Sequence, residues 1–431
     1  MTPSVFLCRG HAAAALPLLS CAVAVLLFAS CAAGEKPSVA VKREQLFTLG
    51  YGPAEDQLDL FQIGGSRASL KTCLTMAEGI FYISNGAGAK VVRYSSFGDP
   101  LSMIYNPDEA SEPVVLKAVS AEGEAGESAS SADPEGLGRK AVPYPFRAVG
   151  EIAVDAKQSV YVEDRLPPER RVEDKESGAL LDHVVLRFDK DGRLVYYLGQ
   201  EGIGGTPFPY ILGLYTMPSD DCVVVSMTQS GWLVHWFDKS GVLVSSLKLR
   251  RDELPMPDKK QGLTASLDRI VPDLSGRNLL LKVDYYREVA DPATKAPAGV
   301  EFASSWTYRM DLSDGKYVDR WQIRAIEKTA KGADGQSIKY SRVPAFLGAA
   351  GRALFFIYAD DDGNTYVSTF DRITREVDRY SIDIAADELY YNTFYLSREG
   401  VLCAVLCTKY EARIAWWRFD KLIGADGGLV K

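Results

Sequence analysis

Val185-Leu186-Arg187-Phe188-Asp189 runs through Lys190-Asp191-Gly192 into Leu194-Val195-Tyr196-Tyr197-Leu198. The stretch is an apolar strand closed by an aromatic and an Asp, a tight polar turn, and a second aromatic-rich strand. Val234-His235-Trp236-Phe237-Asp238 repeats it through Lys239-Ser240-Gly241 into Leu243-Val244, and Tyr308-Arg309-Met310-Asp311 repeats it through Asp314-Gly315 into Tyr317-Val318. Further copies end at Tyr94-Ser95, Phe370-Asp371 and Phe419-Asp420. The intervals from Asp189 to Asp238 and from Asp371 to Asp420 are both 49 residues, the length of four short strands with their connections. Self-similarity on this scale is the mark of stacked or radial supersecondary units.

One repeat can be read strand by strand. Glu151 to Val154 is an inner strand a, Val160 to Val162 strand b, His183 to Phe188 strand c and Leu194 to Leu198 the outer strand d, all β-branched or aromatic and bounded by Gly, Asp or Pro. A lone four-stranded unit cannot cover both of its faces, whereas six arranged radially bury a continuous core. The expected fold class is therefore all-β: a six-bladed β-propeller of four-stranded antiparallel blades. Arg187-Phe188-Asp189 through Gly192, followed by Leu198-Gly199-Gln200-Glu201-Gly202 and an inner strand after Pro209, resembles the NHL-repeat type of propeller. That resemblance implies a recognition scaffold more often than an enzyme, with lyases and lactonases on related propellers; fold analogy does not choose between them.

Leu46-Phe47-Thr48-Leu49-Gly50 reads as a strand d that precedes any strand a. The last repeat supplies a (Thr393 to Leu396), b (Val401 to Leu406) and c (Ile414 to Phe419) but little that could serve as d. The ring is thus expected to close with residues near 45–49 as the outer strand of the last blade.

The N-terminus carries an independent signal. Arg9 precedes an uncharged, Leu- and Val-rich stretch from Ala12 to Gly34 that contains Phe28-Ala29-Ser30-Cys31-Ala32. Small residues before a cysteine resemble a bacterial lipoprotein signal, with Phe28 in place of the usual Leu, a looseness similar to spirochaetal lipoproteins. The resemblance implies cleavage after residue 30 and lipid attachment at Cys31; an uncleaved membrane helix or an ordinary secretory signal are the alternatives. The expected organisation is a signal peptide over 1–30, a flexible tether over 31–44, and one propeller over 45–431 with an acidic low-complexity insertion at 106–140. The membrane is then the first partner, through the lipid, and the propeller is extracytoplasmic, periplasm-facing on the inner or outer membrane.

Composition bears on chemistry mainly by exclusion. Net charge is −8 and only three histidines occur (His11, His183, His235), so a nucleic-acid partner is not expected. Outside the leader, Cys73, Cys222, Cys403 and Cys407 read as buried thiols; Cys403 and Cys407, four apart on one strand, sit about 13 Å apart, too far to bridge. Asp360-Asp361-Asp362-Gly363-Asn364 fails as a calcium loop, because counting from Gly363 puts Tyr358 first and Thr369 twelfth.

The long connections are 106–145, 163–182, 250–265, 285–305 and 324–341. In an a–b–c–d blade all five are b–c or d–a connections and lie on one face, the top. Elaboration of one face by loops is how binding surfaces are built on rigid scaffolds. Arg67 and Arg147 each precede a strand b by thirteen residues, with Tyr210 in the same phase and Arg342 within one residue of it. These four are the candidate ligand-binding residues at the top mouth of the channel, able to grip a carboxylate or phosphate. No catalytic residues, metal ligands or cofactor are expected. The expected function is a monomeric, non-catalytic scaffold for a protein, peptide or envelope polymer. The alternative is a metal-dependent hydrolase or lyase of the lactonase or amidating-lyase type, drawing on Glu151, Asp268, Glu388 and Asn392 in the channel.

Overall fold

Five of the six repeated phrases become the third and fourth strands of a sheet, and the last supplies a third strand alone, in the computed structural model, which describes residues 38–428 apart from 61–69, 119–138, 176–177, 258–261, 292–293, 332–336, 385 and 425–426. Six sheets carry four successive antiparallel strands each. The first is Thr72–Ala77, Ile80–Asn85, Lys90–Tyr94 and Pro100–Tyr105; the second Ile152–Val154, Val160–Arg165, His183–Phe188 and Leu194–Gly199. The third is Tyr210–Thr216, Cys222–Met227, Gly231–Phe237 and Leu243–Arg250; the fourth Leu263–Asp273, Asn278–Ala290, Pro297–Asp311 and Tyr317–Ile323. The fifth is Ala345–Ala350, Ala353–Ala359, Thr365–Asp371 and Val377–Ile382. The sixth takes Tyr391–Leu396, Val401–Cys407 and Ala412–Arg418 from the end of the chain and Glu44–Tyr51 from its beginning. The first strands of the sheets are neighbours in chain order, and Tyr391–Leu396 returns to Thr72–Ala77. This is a β-propeller.

Burial explains the sequence pattern. Second strands such as Val401–Cys407 are buried at every position, because neighbouring sheets cover both faces, and so they read as unbroken apolar runs. Outer strands alternate, as in Leu243–Arg250, where one face packs and the other meets water. The Asp of the repeated phrase is a turn-former. Asp189 Oδ1 accepts the amides of Asp191 and Arg193 at 2.9 Å each, and Asp238 Oδ1 accepts those of Ser240 and Val242 at 2.9 and 3.0 Å. These are Asx turns, and Gly192 (φ 80°) and Gly241 (φ 84°) supply the left-handed residue that completes each one. Asp420 departs from the pattern: it pairs with Arg418 in a 3-10 turn, Phe419–Leu422, since no outer strand follows it.

That outer strand comes from the N-terminus. Glu44–Tyr51 lies antiparallel to Ala412–Arg418, with Phe47 opposite Ile414 and Leu49 opposite Ala412, and both side chains enter the core. Val39–Val41, inside the segment 31–44 expected as a tether, adds in parallel to Val377–Ile382 at the edge of the fifth sheet. Signal residues 1–30 and Cys31 lie outside the described residues.

Three of the expected loops hold β-hairpins, the shortest of them Val172–Glu173 with Leu180–Leu181 in 163–182. Asn278–Ala290 and Pro297–Asp311 continue as a ribbon through most of 285–305, pairing Tyr286 with Phe302 and Glu288 with Val300. Tyr, Val and Phe in both arms favour extended backbone, so the ladder runs past the sheet. Residues 324–341 likewise contain the hairpin Ile326–Lys331 and Ser337–Arg342. The acidic insertion at 106–140 is held at its ends, where Lys140–Pro143 pairs in parallel with Pro100–Tyr105; its residues 119–138 lie outside the described set. Cys73, Cys222, Cys403 and Cys407 are free thiols.

Candidate functional site

The inner strands begin at the end of the molecule that carries the long connections, and there a chain of alternating charges is assembled. Lys71 sits immediately before the first inner strand and Glu151 immediately before the second. Lys71 Nζ lies 2.8 Å from Glu163 Oε2 and 3.3 Å from Glu151 Oε1, donates to the Ile211 carbonyl at 2.6 Å, and stands 4.5 Å from the Tyr210 ring centroid. Glu163 Oε2 also accepts the Glu151 amide at 2.8 Å, and Glu163 Oε1 is 3.4 Å from His183 Nε2. His183 Nδ1 in turn lies 2.8 Å from Asp182 Oδ1, and Asp182 Oδ2 accepts from Arg165 at 2.7 and 3.2 Å.

Burial would strip Lys71 of its proton, but the facing carboxylates of Glu163 and Glu151 outweigh it and hold the ammonium well above its ordinary range. Burial pushes Glu151 up, an effect that Lys71 opposes. Asp182 is also pressed upward by burial, yet hydrogen bonds from His183 and Arg165 bring it down to about 2. Lys71 is thereby a locked cation rather than a nucleophile. Gly150 is required for this packing: a Cβ there would stand 2.2 Å from Glu163 Oε2.

The four candidate residues do not form one site. Tyr210 joins the Lys71 cluster, with its ring also 5.7 Å from His183. Arg147 is exposed beside it, in a cleft shared with Asp164 and Arg170. Arg342 is turned away onto Asp361 and the Ala359 carbonyl within the fifth sheet and its hairpin. Arg67 lies outside the described residues. The residues nominated for a channel metal are also dispersed. Glu151 faces Lys71; Asp268 accepts the Phe346 amide at 2.8 Å and pairs with the buried Lys282 at 3.1 Å; Glu388 is 3.9 Å from Arg413; Asn392 is exposed. Among the described residues no group of three or more His, Cys, Asp or Glu could hold a metal ion. At the opposite end of the channel Arg398 reaches from the sixth sheet to the Val154 carbonyl at 3.2 Å and Thr216 Oγ1 at 3.0 Å.

Lys71 was not among the candidates read from the sequence. A usable signal existed: Lys71 and Glu151 each precede the second strand of their sheet, at Ile80 and Val160, by nine residues. Opposite charges in one phase of adjacent repeats suggest a pair across the ring.

No family model matches the chain, and no curated protein matches it. Solved structures with similar folds include the Dos1 propeller (13% identity, TM-score 0.34, covering 80% of this chain and 92% of that one). Another is the β-propeller domain of the Trilobed protease from Pyrococcus furiosus (8%, 0.32, 63% and 82%), described as having an open velcro topology. A third is an ulvan lyase (12%, 0.37, 87% and 83%). Likenesses at this level carry no argument about function.

Proposed function

We propose that the chain is an extracytoplasmic lipoprotein, anchored through Cys31, whose six-bladed NHL-like propeller is a non-catalytic scaffold for a protein, peptide or envelope polymer. The observation that carries this reading is the asymmetry of the two ends. The ribbon of the fourth sheet, the hairpin Ile326–Lys331 and Ser337–Arg342, and the hairpin Val172–Glu173 and Leu180–Leu181 all extend b–c or d–a connections, whereas the c–d turns of the second to fifth sheets are tight and capped by Asp189, Asp238, Asp311 and Asp371. A rigid ring with one elaborated face suits recognition. The charge chain at the channel mouth supports the same reading, since Lys71 pairs with Glu163 and Glu151, and Arg165 with Asp182.

Two experiments test the proposal. Cys31→Ala should shift the protein from the detergent phase to the aqueous phase; continued membrane association after carbonate washing would favour an uncleaved helix. Metal analysis of the purified protein should find no stoichiometric ion, and bound calcium or zinc would turn the reading toward a channel hydrolase or lyase.

A further inference from the structure

On the elaborated face, among the d–a and b–c connections around the second sheet, lies a cleft of about 220 Å³. Its floor is apolar, built from Leu166, Val184 and Leu186, all buried. Tyr144 and Tyr197 also line it, and three arginines converge on it: Arg147, Arg165 and Arg170. Their charges are not equivalent. Arg165 is spent on Asp182 at 2.7 Å. Arg147 and Arg170 are exposed and have no acidic partner among the described residues, and the Arg170 guanidinium lies 5.6 Å from the Tyr197 ring centroid. Asp164, the carboxyl of the cleft, forms no ion pair with either: its Oδ1 accepts the Arg147 and Ala148 amides at 3.0 and 2.8 Å. Burial, opposed by those backbone bonds, also raises its proton affinity, to a midpoint of about 6.

We infer that this cleft receives an acidic peptide segment of a partner protein, with a carboxylate held by the Arg147 and Arg170 guanidiniums and a neighbouring apolar side chain seated on Leu166, Val184 and Leu186. The inference rests on the scaffold reading and specifies where and how that scaffold grips. Guanidinium forks match carboxylate geometry and give the stronger, charge-assisted hydrogen bonds. The volume is below the roughly 300–1,000 Å³ usual for drug-sized ligands, which fits one or two side chains.

The test uses the full chain in detergent and fluorescence anisotropy of a labelled octapeptide with a Leu-Glu-Phe-Asp core, compared with its Leu-Gln-Phe-Asn isostere. The acidic peptide should bind at least about tenfold tighter than the isostere, the effect of one or two charge-assisted bonds. Arg147→Gln with Arg170→Gln should erase that difference without moving the melting temperature, because both side chains are exposed. Equal binding of the two peptides, or an acidic peptide indifferent to both arginines, overturns the inference. Displacement by millimolar inorganic phosphate beyond that of ionic-strength-matched chloride also overturns it, reducing the cleft to a general anion site. A photocrosslinker at Val289, on the ribbon, reads the scaffold separately in native envelopes. Capture there together with peptide indifference to the arginines refutes the cleft and spares the scaffold; failure of both refutes both.

Discussion

Replacing Lys71 by Met tests whether the charge chain at the channel mouth holds the first three sheets together. The side chain is 18% exposed, and its partner Glu163 is 3% exposed. Removing the cation leaves Glu163 and Glu151 facing each other without a counter-charge and leaves the Ile211 carbonyl without its donor. Breaking a buried pair in this way costs about 3–5 kcal/mol, mostly the penalty of the uncompensated charge. The loss should depend on pH with a definite sign. Without Lys71, the main opposition to the burial that lifts the folded-state midpoint of Glu151 above its unfolded value is gone, so the variant binds more protons when folded and loses stability as pH rises through the acid range. Urea unfolding followed by tryptophan fluorescence should therefore show a larger deficit at pH 8 than at pH 5. Glu163→Gln and Glu151→Gln added to Lys71→Met should restore most of it by removing the orphaned charges. A Lys71→Met protein within about 0.5 kcal/mol of wild type, the range of ordinary surface substitutions, would refute the reasoning.

Asp164→Asn should flatten part of the wild-type pH dependence. With a folded midpoint of about 6 against an ordinary 3.8, wild type loses stability as pH rises between those values, by about 3 kcal/mol at roughly 1.36 kcal/mol per pH unit. Urea midpoints of the two proteins should converge near pH 3.5 and favour Asn at pH 7.5, and parallel curves would show that the carboxyl is not desolvated. Gly150→Ala should cost about 1–3 kcal/mol through the clash with Glu163, and a neutral result in thermal melts would count against the described packing. Deleting residues 39–49 should expose the edge of Ala412–Arg418 and remove Phe47 and Leu49 from the core. The cooperative melt should then be lost or the protein precipitate, and an unchanged melting temperature would contradict the closure.

What the sequence disclosed and what it concealed divide by the range of the interaction. The Asp-to-Gly phrase was readable because an Asx turn is made within five residues, as at Asp189 to Arg193. The closing strand was readable because Leu46-Phe47-Thr48-Leu49-Gly50 copies the alternation of the other outer strands. The ribbon of the fourth sheet was mistaken for a loop because its charged residues, Arg287, Glu288 and Glu301, mark exposed faces and not an end of pairing. Lys71 escaped because its acceptors on Glu163 and Ile211 are 92 and 140 residues away, on other sheets. The thirteen-residue phase that suggested Arg147, Tyr210 and Arg342 located backbone positions near strand starts. It could not tell that Asp361 would claim Arg342 while Arg147 kept its charge free.

The pairing of Glu44–Tyr51 with Ala412–Arg418 also sets an order of events. Tyr51 donates to the Glu411 carbonyl across a separation of 360 residues, so the sixth sheet cannot be completed until nearly the whole chain has been made. Loop closure over such a span costs entropy before its contacts return anything, which delays completion of the ring. Until it occurs, Ala412–Arg418 is an open edge, and Phe47 and Leu49 are covered by the first sheet, where Phe47 meets Phe81 and Tyr94, but lack their partners Ile414 and Ala412. The interval between synthesis and closure is therefore when this chain is most prone to pair with another copy of itself, and a factor that shields the leading segment would act there.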